Sequence, residues 1–125
     1  MNKAAWFEIY VDDLQRATKF YETVLAVELD VLSVPDNTDN IQMSAFPGDE
    51  VSYGAAGALA KMDGMQPGGN STVIYFSCDD CAVEESRVIP AGGRLRQPKM
   101  PIGKHGYCTL AYDTEGNLFG LHSYQ

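Results

Sequence analysis

The sequence predicts an α+β fold made of two βαβββ halves, on three observations. An apolar, strand-like run ends in an Asp pair twice, in WFEIYVDD (6–13) and VIYFSCDD (73–80), at an offset of 67 residues. A helix-like segment follows each Asp pair, and three further strand-like runs follow each helix. At 125 residues the chain has the length of one domain, and each half alone is too small to bury a good core. The expected organisation is a single domain over 1–125, with one module over about 4–62, a connector over about 63–70 and a second module over about 71–124.

Residues 5–11, AWFEIYV, are rich in aromatic and β-branched side chains and read as a buried strand. Asp12-Asp13 then supplies a helix cap, because a short carboxylate can accept from the free N–H groups of a first turn. Leu14, Ala17, Phe20, Tyr21, Val24 and Leu25 fall at helical spacing and form one apolar face. VELDVLS (27–33) alternates as a strand, PDNTDN (35–40) has turn chemistry, and IQMSAF (41–46) is the next strand. After the turn PGDE (47–50), AGALAKM (56–62) reads as a short strand and DGMQPGG (63–69) as a flexible connector. In the second half, STVIYFSCDD (71–80) is a buried strand with its capping Asp pair. CAVEESRVIPAGG (81–93) is a helix that Pro90 should fray and Gly92-Gly93 should close. RLRQ (94–97) is a short strand and PKMPIGKHG (98–106) a loop. YCTLAY (107–112) and NLFGLHS (117–123) are strands joined by the tight turn DTEG.

Composition excludes several function classes. Nine basic against seventeen acidic residues give a net charge of −8, which suits neither a nucleic acid nor an anionic membrane surface. No apolar run approaches the ~20 residues of a bilayer span, and Glu8 and Asp12 interrupt any secretory apolar region. Three cysteines, an odd number, fit a reducing cytoplasm better than a disulfide framework. In that setting the glycosylation-like Asn70-Ser71-Thr72 carries no meaning. There is no G-x-G-x-x-G, Walker or G-x-S-x-G sequence, so neither a nucleotide loop nor a nucleophile elbow is supported.

The segment V-D-D-L-Q-R-A-T-K-F-Y (11–21), the restart near 72 and the closing D-T-E-G-N-L-F-G-L-H (113–122) together resemble the vicinal oxygen chelate superfamily. This is the glyoxalase, bleomycin-resistance and extradiol-dioxygenase group, and the resemblance covers about residues 4–124; FPGDE (46–50) and AGALAK (56–61) also look like small members of it. The resemblance implies two βαβββ modules whose sheets form a curled mixed sheet around a cavity, usually in a homodimer. It also implies, in metal-dependent members, a divalent cation held by His and Glu from the first and last strands of each module. Carried across, those positions fall on Trp6, Val73 and Gly120, with the fourth unplaced on a strand that has no His, Asp or Glu between Val51 and Met62. None of the three side chains ligates a metal, so no metal site is expected, with an atypical divalent site as the alternative.

Alternation along a strand offers replacements, since side chains two apart share a face. Glu8, Tyr75 and His122 lie one such step from Trp6, Val73 and Gly120. Glu8 and His122 are the candidate catalytic residues, able to move a proton on a bound molecule. Trp6, Tyr53, Tyr75, Tyr107 and Phe119 are the candidate ligand-binding residues, aromatic rings suited to a flat or partly apolar ligand. Each has a structural alternative: Glu8 paired with a nearby Lys or Tyr, His122 bonded to backbone or water, His105 solvated in its Gly-rich loop, Tyr75 in the core. Cys78-Asp79-Asp80-Cys81 has C-x-x-C spacing at a helix start, but its two carboxylates disfavour a thiolate and the pair reads as inert.

Three functions follow. The first is a small-molecule-binding protein that could act as a lyase or isomerase next to a carbonyl. The second is a sequestering protein of the bleomycin-resistance type, for which an acidic chain suits a neutral or cationic ligand. The third is a metal-dependent glyoxalase or dioxygenase with an atypical ligand set.

Overall fold

Asp13 and Asp80, the second members of the two Asp pairs, start the two helices in the same way. Asp13 Oδ1 accepts from the Arg16 N–H at 3.0 Å and Asp80 Oδ1 from the Ala82 N–H at 2.9 Å. Each such cap contributes about 1 kcal/mol. The computed structural model describes residues 2–32, 40–49 and 51–125. Within them the order is β1 (Trp6–Tyr10), α1 (Leu14–Leu25), β2 (Asp30–Leu32), β3 (Gln42–Ala45), β4 (Ala56–Lys61), β5 (Ile74–Ser77), α2 (Cys81–Val88), β6 (Arg94–Pro101), β7 (Tyr107–Tyr112) and β8 (Leu118–Ser123). The turn expected over 35–40 lies outside the described residues except for Asn40, which has the left-handed backbone (φ 52°) that Asn tolerates.

The strands form two mixed four-stranded sheets, ordered β1-β4-β3-β2 and β5-β8-β7-β6. In each the first and last strands of a βαβββ unit pair in parallel and the rest antiparallel, so the two modules share one topology. They are separate sheets, not one continuous curled sheet. Their edge strands β1 and β5 meet through side chains: the Phe7 and Phe76 rings are 6.1 Å apart, and Tyr10 shares a cavity with Ile74. Among the described residues no helix is long and apolar enough to cross a membrane.

Three expectations need correction. β1 and β5 are only half-buried, because Phe7 and Ile9, and Ile74 and Phe76, turn inward while Trp6, Glu8 and Tyr75 stay exposed. The second-module strand does not end at Gln97; β6 continues through Pro98 to Pro101, and the loop shrinks to a 3₁₀ turn over Gly103–His105. Prolines fit there because β6 is an edge strand and its pairing with β7 shifts register between Leu95 and Gln97 and between Gln97 and Met100. Regular helix in α2 stops at Val88, and Pro90 occupies a last turn closed as expected. Gly92 (φ 106°) donates to the Ile89 carbonyl at 3.0 Å and Gly93 to the Val88 carbonyl at 2.9 Å, a Schellman ending.

α1 ends on the same device without the glycine. Ala26 is left-handed (φ 55°, ψ 50°) and its N–H bonds the Glu22 carbonyl. An alanine there carries steric strain that glycine avoids. Ala26→Gly is expected to raise stability by a few tenths to about 1 kcal/mol, read as a higher urea midpoint at unchanged m-value.

The core lies where the modules meet. Tyr21 from α1 touches Phe46 (5.6 Å between ring centroids) on one side and Phe76 (5.8 Å) and Phe119 (5.4 Å) on the other. Val11, Ala17, Val24, Leu59, Val88, Ala111 and Leu121 complete one apolar cluster drawn from both modules. A polar brace reinforces it. Glu115, in the turn before β8, accepts from the Asp12 and Asp13 N–H groups at 3.0 Å each and takes a two-pronged contact from Arg16 at 2.7 and 2.8 Å. In the same turn Asp113 accepts from Tyr21 Oη at 2.6 Å and from the Glu115 and Asn117 N–H groups. The second module's last hairpin thus caps the first module's helix.

Candidate functional site

Trp6, Glu8 and Tyr10 alternate along β1 and project from the face opposite Phe7 and Ile9. The Trp6 indole N–H donates to Glu8 Oε2 at 3.0 Å and the Tyr10 hydroxyl to Glu8 Oε1 at 2.7 Å. Both carboxylate oxygens are held from opposite ends of the strand, so an exposed side chain has a fixed orientation. The hydrogen bond to Glu8, then burial, pushes the Tyr10 phenol above its ordinary value. Across the ladder Glu8 faces Ala58 and Tyr10 faces Ala60, and the Tyr10 ring packs on Met43, Ala58 and Ala60.

Glu8 and Tyr10 line a cavity of about 200 Å³ at the seam between the sheets, with Met65, Asn70, Ile74 and Asn117. The connector expected to be merely flexible forms one wall of it. Asn117 Nδ2 donates to the Tyr10 carbonyl at 2.8 Å while its Oδ1 accepts from the Gly68 N–H at 2.6 Å. Asn70 Nδ2 donates to the Thr72 carbonyl at 2.6 Å and Asn70 Oδ1 accepts from the Leu118 N–H at 3.1 Å. Sequence reading missed both asparagines. Their only signal is an amide side chain inside a turn and a glycine-rich connector, where backbone groups need partners.

The other candidates are dispersed. Tyr53 is 89% exposed on the β3–β4 turn and shares with Trp6 an open groove of about 580 Å³. Tyr75 is half-exposed and its ring lies directly over Gly120, where a Cβ would sit 2.3 Å from the ring. His122 is half-buried; its Nε2 lies 2.6 Å from the His105 carbonyl, which makes that nitrogen the donor, and its ring meets Tyr124 edge-on. Glu8 and His122 therefore have separate partners, and His122 does not line the Glu8 cavity. Two placements are corrected by strand alternation. Phe119 is 1% exposed in the core, an odd step from Gly120 and His122 and so on the opposite face. Tyr107 faces α2: it pairs with Ser123, whose Oγ accepts from the Cys81 N–H, and it lies under Lys99 at 4.6 Å. His105 sits on the exposed 3₁₀ turn, where its carbonyl serves His122. The cysteines are free. Burial, then Glu84, pushes the Cys78 thiol up to about 12, so Cys78 is not a ready thiolate, and Cys81 is buried.

A family model described as the Glyoxalase/Bleomycin resistance protein/Dioxygenase superfamily matches residues 3–121. The chain belongs to this superfamily. Among curated proteins it is 28% identical over 116 residues to "Putative glyoxylase CFP32" of Mycobacterium bovis and of Mycobacterium tuberculosis, covering 93% of this chain and 43% of theirs. It thus spans less than half the length of those relatives. Among solved structures, glyoxalase I from Zea mays superposes with a TM-score of 0.75 at 20% identity, over 96% of this chain and 45% of that one. TnmS3, an antibiotic binding protein from a Streptomyces species, gives 0.66 at 21% identity, over 98% and 96%. These likenesses establish the glyoxalase fold.

The superfamily's cation positions can be tested against the register. Tyr75 faces Gly120 in the second module as Glu8 faces Ala58 in the first, so the position left unplaced in the sequence falls on Ala58. Trp6, Ala58, Val73 and Gly120 offer indole, methyl, isopropyl and hydrogen, a set without a ligating atom. Among the described residues, no group of three or more His, Cys, Asp and Glu gathers elsewhere. The side chains at the superfamily positions do not fit a cation.

Proposed function

We propose that this member of the glyoxalase superfamily is a small-molecule-binding protein in which Glu8 anchors the ligand at the seam between the sheets. The observation that carries the reading is the Glu8 carboxylate, held by Trp6 and Tyr10 at the wall of the 200 Å³ cavity. A carboxylate held in place, aromatic neighbours and a net charge of −8 favour a ligand with a cationic or hydrogen-bond-donating group on an apolar body. Sequestration without chemistry, as suggested by the antibiotic binding relative, fits this better than lyase or isomerase turnover. Proton transfer would want Glu8 and His122 on one bound atom, and they have separate partners.

Trp6 is the single tryptophan and donates to Glu8, so its fluorescence, excited selectively over that of the seven tyrosines, reports on the site. Titration with small planar aromatic cations should give saturable quenching, weakened about tenfold in Glu8→Gln. Equal binding by wild type and Glu8→Gln would reject Glu8 as the anchor. Mass spectrometry of the recovered ligand separates sequestration, which returns it unchanged, from a lyase or isomerase. Elemental analysis of protein purified without chelator tests the metal-dependent alternative. The proposal includes a cytoplasmic homodimer, whose size light scattering checks.

A further inference from the structure

The seam holds a second cavity, apart from Glu8. It measures about 230 Å³ and is lined by Phe7, Phe46 and Phe76, by Leu25 at the end of α1 and Val27 beyond it, and by Glu84 of α2. It lies on the helix side of the sheets, because Phe7 and Phe76 are the inward residues of their strands. The three rings form an aromatic corner, with centroids 5.7 Å (Phe7 to Phe46), 6.1 Å (Phe7 to Phe76) and 5.3 Å (Phe46 to Phe76) apart. Gly57 makes the corner possible: a Cβ there would stand 2.4 Å from the Phe7 ring, which instead lies flat against the β4 backbone.

Glu84 is the one ionisable side chain in this lining. It is half-buried, and among the described residues no Lys, Arg or His is paired with it. Its neighbour is the Cys78 thiol, which burial and Glu84 itself keep protonated. Among the described residues this half-buried carboxylate, beside a neutral S–H and an aromatic corner, has the partial positive charge of the α2 N-terminus but no full counter-charge, and a cation seated there would supply one.

We propose that this helix-side cavity is a second binding site, for a small organic ammonium ion with an aromatic or branched apolar body. The body fills the Phe7–Phe46–Phe76 corner and the ammonium pairs with Glu84. The size agrees, since an apolar cavity of about 150 Å³ holds a benzene ring and 230 Å³ leaves room for a short charged arm. The site is independent of the Glu8 reading, which concerns the other end of the seam.

Benzylammonium is the probe, with benzyl alcohol as its neutral counterpart, and binding is followed by amide chemical-shift changes in the intact protein. Saturable shifts are expected at residues 25–27, 46, 55–57, 76–77 and 84, with benzyl alcohol at least about tenfold weaker. Glu84→Gln should weaken the benzylammonium shifts at these residues about tenfold and remove its advantage over the alcohol. Should Glu84→Gln fold poorly, the wild-type shift map and the ammonium-to-alcohol ratio decide on their own. Absence of saturation, shifts centred on Glu8 and Tyr10, or equal binding of the two probes by wild type would each overturn the proposal.

Discussion

Glu115→Gln is expected to cost about 2–3 kcal/mol at neutral pH, and that cost should disappear in acid. Burial disfavours the Glu115 charge, but Arg16, the Asp13 N–H and Thr114 outweigh it and hold the carboxyl at about 2, against an ordinary 4.5. A carboxylate whose pKa is lower in the folded than in the unfolded chain stabilises the fold above the unfolded value. Its contribution is complete above about 4.5 and is lost as pH falls towards about 2. The shift alone corresponds to about 3 kcal/mol, less what solvent screens at the half-exposed Arg16. Glutamine matches the protonated carboxyl in shape, so the gap between wild type and variant should close over that window. Urea unfolding at a series of pH values checks this, and a gap that stays constant with pH would reject the ionic account. Asp113 acts in the opposite sense. Burial raises its pKa against the bonds it accepts, so its contribution declines as pH rises through the carboxylate range. It is present in both proteins and largely cancels from the difference.

Phe119→Ala is expected to cost about 3–5 kcal/mol, the usual toll of emptying a fully buried aromatic site. The Phe119 ring packs against Phe20 at 5.8 Å, Tyr21 at 5.4 Å and Phe76 at 6.2 Å, so its loss opens the core that both modules share. Thermal and urea unfolding should shift together as one transition. The contrast is Tyr75→Ala, where a half-exposed ring on the other face of the same sheet should cost under about 1 kcal/mol. A small loss for Phe119→Ala, comparable to that of Tyr75→Ala, would place Phe119 at a cavity wall after all.

Much of the fold was legible because it rests on local rules. The period-2 and period-3.6 runs marked most of the strands and both helices, Asp13 and Asp80 announced their caps, and Gly92 announced its helix end. The full length of β6 is not legible, because prolines such as Pro98 are tolerated only on an edge strand and sequence does not say which strand lies at an edge. The site was legible residue by residue but not as an assembly. Alternation from Trp6 points to Glu8, and the same alternation places its two partners, Trp6 and Tyr10, on its face of the strand. Phe119 was misplaced although that rule, applied to the odd step from His122, assigns it to the core.

The closing DTEGN shows the limit most clearly. In the sequence it marked a tight turn and a family resemblance; in the structure Asp113, Glu115 and Asn117 are buried and bind Tyr21, the start of α1 and the Tyr10 carbonyl. Those bonds span about a hundred residues, beyond the reach of any local pattern. What the sequence determined by itself was the pair of βαβββ units, their caps and the absence of ligating side chains at Trp6, Val73 and Gly120. Each of these depends on residue type and near neighbours. What only the tertiary structure decided was the seam: its two cavities, the separation of Glu8 from His122 and the brace between modules. These depend on which strand edges meet, and that is fixed by the burial of a shared core.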